Sequence, residues 1–281
     1  MRADKIKSHA KLNLALNVTG KNSSLHKIET IIVFISLHDE ILIEKINSKK
    51  HKISFTGKFS KNIGKNNTVS KLLNILDEKK LLNNKKFKVR IKKRIPSKAG
   101  LGGGSMNASN ILNYFLKKNI IKISKKEIIK ISKLVGSDVL LGLKPTSSIL
   151  SGNNEIKRFY NCKKFYSLIV KPHFGCSTRE IYSKVKKFNK PKFNNPNLKM
   201  FNFNYLKKMD NSLEPIALSK YSKLRKIKSF LESLSKPSFV RMTGSGSALV
   251  AYFQSKYRCE IAKKMFHKKY KNYWCILSKT I

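Results

Sequence analysis

Residues 95–112, IPSKAGLGGGSMNASNIL, constrain the fold of this chain more than any other stretch. Of 13 glycines in 281 residues, Gly100, Gly102, Gly103 and Gly104 fall almost side by side. Each glycine loses more backbone freedom on folding than any other residue, so such density marks a place where side chains would obstruct. Pro96 ends a strand-like run, and beyond the glycines Ile111, Leu112 and Phe115 share one helical face. The segment reads strand, glycine loop, helix. The unpaired N–H groups of the first helical turn and the positive end of the helix dipole then point at the loop, and the missing Cβ atoms admit a phosphate chain to hydrogen-bonding distance. A simple tight turn is the plainer alternative.

The flanking sequence mixes strands and helices without internal repeats. β-rich runs fill the first part: KLNLALNV (11–18), IETIIVFISL (28–37), EILIEKI (40–46) and FKVRIKK (87–93), with a helix over 68–80 between the last two. Ser124 and Glu127 have capping-box spacing and Gly136 supplies a C-terminal stop, so a helix between them delivers the chain to Gly136-Ser137-Asp138. The alternation then restarts, with a strand over 165–170, helices within 205–234, a strand over 248–253, a helix from Lys256 and a last strand at YWCIL. The Lys/Asn/Pro-rich stretch 186–197 has little to bury and reads as a mobile loop. The expectation is an α+β chain of two domains, 1–155 and 156–281.

Composition excludes several classes. The four cysteines, Cys162, Cys176, Cys259 and Cys275, form no C-x-x-C pair and no zinc ligand set, so neither a disulfide framework nor a metal site is expected. The longest apolar runs, such as IIVFI at 31–35, fall far short of the roughly 20 residues that span a bilayer, and the N-terminus lacks a signal-peptide core. A soluble, cytoplasmic protein without a membrane partner is expected, as monomer or homodimer. The formal charge of +46 invites a nucleic-acid reading. Only 8 of the 61 basic residues are arginine, the lysines are spread from end to end, and no nucleic-acid motif accompanies them. AT-rich codon usage would produce the excess of Lys, Asn, Ile and Phe, a selected polyanion-binding surface is the alternative, and no specific nucleic acid is expected.

The loop is neither a P-loop nor a dinucleotide fingerprint, since G-x-x-x-x-G-K-[ST] and G-x-G-x-x-G are both absent. It resembles the nucleotide loop of the GHMP kinases, and its three glycines after the leucine are similar to the branch that phosphorylates 4-diphosphocytidyl-2-C-methyl-D-erythritol. Further segments resemble that family in order: AKLNLALNVTG (10–20), Leu25-His26, GSDV (136–139), NSLEP (211–215) and MTGSGSALVAYF (242–253). The resemblance implies the two-domain GHMP kinase fold, with an N-terminal ATP-binding domain like the second domain of ribosomal protein S5 and a ferredoxin-like C-terminal domain. It also implies ATP with Mg²⁺, a small-molecule acceptor, and phosphorylation of its 2-hydroxyl in non-mevalonate isoprenoid precursor synthesis. A homoserine- or mevalonate-type kinase, or a polyanion-binding homologue without catalysis, are the alternatives.

Transfer of a γ-phosphoryl group to an alcohol needs an oriented hydroxyl, a group that takes its proton, and N–H dipoles or cations around the transferred charge. Asp138, one of five aspartates, follows a helix stop where a side chain can enter a cleft, and by resemblance is the catalytic base. Capping of the next element, or pairing with a surface lysine, is the plainer role for it. Lys11 alternates with Leu12, Leu14 and Leu16 and is expected opposite the core. By resemblance it is the active-site lysine, with Asn13 on the same face binding substrate. The resemblance likewise gives Pro96, Gly100, Leu101, Gly102, Gly103, Gly104, Ser105 and Asn67 to ATP. It gives His26 and Tyr182 to the cytosine, and Gly244, Ser245 and Gly246 to closure on the substrate's phosphates. Four positions depart from the pattern: Leu25 replaces tyrosine, Lys98 glycine, Met106 serine and Ser212 aspartate.

Overall fold

The computed structural model describes all residues except 1–2, 23–24, 62, 154 and 235. In chain order the elements are β1 (Asp4–Lys21), β2 (His26–Ile46), β3 (Lys52–Thr56), α1 (Thr68–Glu78), β4 (Lys86–Lys92), α2 (Gly103–Lys117), α3 (Lys125–Val135), α4 (Val139–Gly142), β5 (Ser147–Leu150) and β6 (Ile156–Phe159). They continue with β7 (Tyr166–Lys171), α5 (Thr178–Ser183), a 3₁₀ turn (Leu198–Phe201), α6 (Phe203–Lys207), α7 (Glu214–Lys220), α8 (Ser222–Ser233), β8 (Phe239–Met242), β9 (Leu249–Phe253), α9 (Lys256–Lys269) and β10 (Trp274–Lys279). The chain is α+β, as the sequence predicts. No helix among the described residues is long and apolar enough to cross a membrane.

One compact unit comprises Met1–Ala10, Leu37–Ser97 and Gly102–Pro145. Its strands are β4, antiparallel to the Glu40–Ile46 part of β2, and β3, parallel to β4. Four helices cover them. The expected apolar face of α2 is confirmed: Ile111, Leu112 and Phe115 are buried with Val69 and Leu72 of α1 and Ile131 of α3. α1 begins at a reciprocal capping box in which Asn67 Oδ1 accepts from Val69 and Ser70 N–H and the Ser70 hydroxyl accepts from Asn67 N–H. α3 begins where Ser124 Oγ accepts from Glu127 N–H at 3.2 Å and ends at Gly136, the start and stop that its sequence announces.

The second unit comprises Lys11–Ser36, Lys98–Leu101 and Thr146–Ile281. It holds the hairpin of β5 and β6, with β5 antiparallel to residues Thr30–Ile32 of β2. It also holds a four-stranded antiparallel sheet in the order β10-β7-β9-β8. With α8 and α9 as crossovers, that order is the ferredoxin-like arrangement. Leu224, Ile227 and Leu231 of α8 and Ala262 and Phe266 of α9 bury their faces against Leu168 and Ala251 of the sheet.

Three local expectations need correction. The runs at 28–37 and 40–46 are one strand, β2, because Leu37 to Asp39 offers no glycine or proline to break it. β1 is buried on both faces from Ala10 to Val18, so Lys11 and Asn13 lie in the interior although they alternate with the leucines. The stretch 186–197 is pinned rather than loose. Asn189 N–H donates to Val18 O at 2.9 Å, and the buried carboxylate of Glu29 accepts from Lys192 N–H at 2.7 Å and Phe193 N–H at 2.9 Å.

Candidate active site

In the first unit a single buried carboxylate organises the approach to the glycines. Asp39, wholly buried in β2, takes the Lys93 ammonium as an ion pair. It also accepts from Arg94 N–H at 2.7 Å, Ile95 N–H at 2.8 Å and Asn107 Nδ2 at 3.0 Å. Strand exit and first helical turn are thereby tied to one side chain. Gly102 then opens α2 in the left-handed region, φ +70°, with no side chain capping the helix. Gly104 is exposed and Gly102, Gly103 and Ser105 are half-buried, so the first-turn N–H groups border solvent. A Cβ on Gly103 would stand 2.9 Å from Ile95 Cγ2 and 3.3 Å from Lys93 Nζ, which explains why glycine is required there. Thr68 Oγ1 donates to Gly104 O at 2.8 Å, joining the start of α1 to the loop. Asn67 beside it is occupied as the α1 cap, its amide also donating to Gly64 O and Lys65 O, and Pro96 is buried.

Asp138 occupies the N-cap position of α4 but makes no capping bond with its side chain, so capping is not what its half-buried carboxylate performs. Its short helix is set by close packing on α2. A Cβ on Gly142 would lie 2.7 Å from Met106 Sδ and 2.8 Å from Ser109 Oγ. Met106 is fully buried at this contact and faces packing rather than the loop.

In the second unit the other half of the glycine loop is docked on the turn between β8 and β9. Ser247 N–H donates to Lys98 O and Ala248 N–H to Ala99 O, each at 3.2 Å, while Thr243 Oγ1 donates to Gly100 O at 3.3 Å. Gly100 has φ +73°, and any Cβ there would collide with the Thr243 carbonyl oxygen. Leu101 is buried, and its carbonyl accepts from Lys11 N–H at 3.1 Å. Gly244, Ser245 and Gly246 are buried in the turn, with the Ser245 and Thr178 hydroxyls 2.8 Å apart. Asn211 and Glu214, in the segment NSLEP, hold that turn from beneath. Asn211 Nδ2 donates to Met242 O and Gly244 O, each at 2.8 Å, and Glu214 accepts from Met242 N–H. Lys11 Nζ donates to Asn13 Oδ1 at 2.6 Å, and Asn13 Nδ2 donates to Thr30 Oγ1 at 2.9 Å.

His26 and Tyr182, far apart in sequence, come together in the same unit with ring centroids 5.0 Å apart and planes tilted by 41°. Burial, and then the charge of Lys21, push the His26 imidazole below its usual value. A neutral ring near pH 7 offers one donor and one acceptor nitrogen, a pattern suited to an uncharged base edge.

The model of the GHMP kinases N terminal domain matches residues 67–144. The 4-diphosphocytidyl-2-C-methyl-D-erythritol kinase of Pelagibacter ubique (strain HTCC1062) is 58% identical over all 281 residues, covering 100% of both chains. This chain belongs to the 4-diphosphocytidyl-2-C-methyl-D-erythritol kinase family of GHMP kinases. Its fold is similar to a solved 4-(cytidine 5'-diphospho)-2C-methyl-D-erythritol kinase, with TM-score 0.78 and 21% identity over 99% of this chain and 100% of that one. It is also similar to homoserine kinase from Cytophaga hutchinsonii, with TM-score 0.73 and 14% identity over 100% and 95% of the two chains. As a family kinase the chain uses ATP and a small-molecule acceptor.

Sequence reasoning about this family kinase missed Asp39, Lys93 and Thr68. It quoted Asn211 without a task for it. Asp39 carried a usable signal, since a carboxylate within the largely apolar run 31–43 needs a partner, whereas Lys93 stands between Lys92 and Arg94 and carried none. Thr68 carried none, because only the folded chain brings it to the loop.

Proposed function

We propose that this chain transfers the γ-phosphoryl group of ATP to the 2-hydroxyl of 4-diphosphocytidyl-2-C-methyl-D-erythritol, in the cytoplasm, as a step of non-mevalonate isoprenoid precursor synthesis. The observation that carries this is the full-length 58% identity with a relative bearing that substrate in its name. The uncapped, glycine-lined start of α2 supports the ATP part, because its N–H groups and dipole suit a phosphate chain. Among the described residues no three His, Cys, Asp or Glu side chains stand together as a metal site. Mg²⁺ would be carried by the nucleotide's phosphate oxygens, which a hard cation prefers, and would supply charge neutralisation there.

Asp138 takes the proton of the attacking hydroxyl, a contribution of about 10²–10⁴ in rate. The buried ammonium of Lys11, steadied by Asn13, favours the ionised form of the acceptor oxygen. His26 and Tyr182 receive the cytosine, by hydrogen bonding and by stacking respectively. Gly102 to Ser105 donate to the phosphates of ATP, and the turn at 244–246 supports the opposite half of the loop.

The test is ADP release from Mg²⁺-ATP with the cytidine substrate, in wild type and Asp138→Asn. Turnover of order 1–100 s⁻¹, as kinases show, with a loss of at least about a hundredfold in the variant, supports substrate and base. Equal turnover by the variant removes Asp138 from the mechanism. Turnover with homoserine or mevalonate in place of the cytidine substrate refutes the substrate.

A further inference from the structure

We propose that Phe188 is a third wall of the nucleobase site and sets affinity for the cytidine end of the substrate. This rests on the reading above that His26 and Tyr182 receive the base. Phe188 lies in a run of lysines and asparagines and 48% of it is exposed, whereas Phe193 of the same run is buried. Its ring nevertheless sits beside His26, centroid to centroid 6.3 Å, at 57° to the imidazole plane. His26 thus has an aromatic ring on each of two contacts, Tyr182 from α5 and Phe188 from the segment beyond it. Leu25, the neighbour that could have offered another surface, is aliphatic and 69% exposed.

An exposed ring serves recognition only if its backbone is held, and here the next residue is clamped at several atoms. Asn189 N–H donates to Val18 O at 2.9 Å, and Asn189 Nδ2 donates to Asn17 Oδ1 at 2.6 Å and to Ser212 Oγ at 3.0 Å. Ser212 Oγ in turn donates to Asn17 Oδ1 at 3.0 Å and accepts from Val18 N–H at 3.3 Å. Asn17 Nδ2 donates to Lys190 O at 3.1 Å and to the buried carboxylate of Glu29 at 2.8 Å. The clamp fixes the segment from both β1 and the start of α7, so Phe188 is presented to His26 without the ordering cost that a loose loop would carry on binding. A half-exposed, pre-positioned aromatic beside an imidazole that itself meets a tyrosine ring is a stacking platform for a flat heterocycle.

The experiment measures CDP binding by titration calorimetry and the KM for the cytidine substrate, in wild type, Phe188→Ala and Phe188→Tyr, with the KM for ATP as the control for folding. Loss of one stacking partner should weaken CDP binding and raise that KM by roughly 5- to 150-fold in Phe188→Ala. Phe188→Tyr should restore both, and the KM for ATP should stay in place. If wild type binds CDP and Phe188→Ala binds it equally well, the inference is overturned while the assignment of His26 and Tyr182 stands. If wild type does not bind CDP, the nucleobase reading fails and this inference falls with it. A parallel rise in the KM for ATP assigns Phe188 a structural role and also overturns the inference. A second variant, Ser212→Ala, removes one member of the clamp and should move CDP binding in the same direction by a smaller factor.

Discussion

Asp39→Asn tests whether one buried ion pair holds the approach to the glycine loop. The substitution keeps shape but removes the charge that faces Lys93 in the interior. The asparagine amide would also meet Asn107 Nδ2 donor to donor. That conflict has a local repair, because Asn107 Oδ1 is buried without a hydrogen-bond partner and a flip of the Asn107 amide would offer it as acceptor. The Lys93 ammonium has no such remedy. Breaking a buried pair by removing one partner costs about 3–5 kcal/mol, chiefly through the charge left behind. At roughly 2–4 °C per kcal/mol for a chain of this size, the midpoint of thermal unfolding should fall by about 6–20 °C. Differential scanning calorimetry of wild type, Asp39→Asn and Asp39→Asn/Lys93→Met separates charge from hydrogen bonding. The double variant should recover most of the loss, since a pair replaced by apolar groups is often neutral. A shift below about 2 °C in the single variant, or a double variant no better than the single one, would refute the argument.

Two further outcomes follow from local geometry. Lys98 stands in the left-handed region, φ +51°, where a side chain costs about 1–2 kcal/mol, so Lys98→Gly should match or exceed wild type in the urea midpoint, and a clear loss would mean that its side chain carries stability. Burial pushes the His51 imidazole below its usual value, against the opposing pull of Asp77, and His51 Nδ1 accepts from Phe87 N–H at 3.0 Å. The folded pKa lies below the unfolded one, so the unfolded chain binds the extra proton and stability falls as pH drops below about 6.5, by at most about 1.4 kcal/mol per pH unit for this group. Melting curves from pH 7.5 to 5.5 should be flatter in His51→Gln than in wild type; parallel curves would acquit His51.

What the sequence announced were features encoded within a few residues. The cap at Ser124, the stop at Gly136, the apolar face of α2 and the glycine loop itself all depend on spacings shorter than a helical turn or two. What it hid depends on partners far along the chain. Asp39 meets Lys93 across 54 positions and Asn107 across 68, and Asn211 reaches Gly244 across 33. The lysine-rich composition misled at 186–197, because low hydropathy predicts looseness only where no buried acceptor such as Glu29 collects the backbone N–H groups. The alternation in β1 misled for a similar reason. Period two separates the faces of a strand, but it does not say that either face is wet.

The positions where this chain departs from its family pattern acquire physical roles on the same footing. Met106 fills the contact beneath Gly142, so its thioether contributes to the seating of the helix that follows Asp138. Lys98 offers its carbonyl to Ser247 N–H and packs its Cβ on Gly175, a site where any added Cβ would come within 2.5 Å of it. Its left-handed backbone is the reason glycine would serve as well or better. Ser212 is the hub of the Asn17–Asn189 clamp, and an aspartate there would place a further carboxylate against the Asn17 carbonyl oxygen, with which the Ser212 hydroxyl now hydrogen-bonds. A hydroxyl can donate to that oxygen and accept from Asn189 and Val18 at once, whereas a carboxylate can only accept. The serine therefore suits the clamp chemically. Through Asn189 it bears on how firmly Phe188 is held beside His26, the ring that the proposal above assigns to the base.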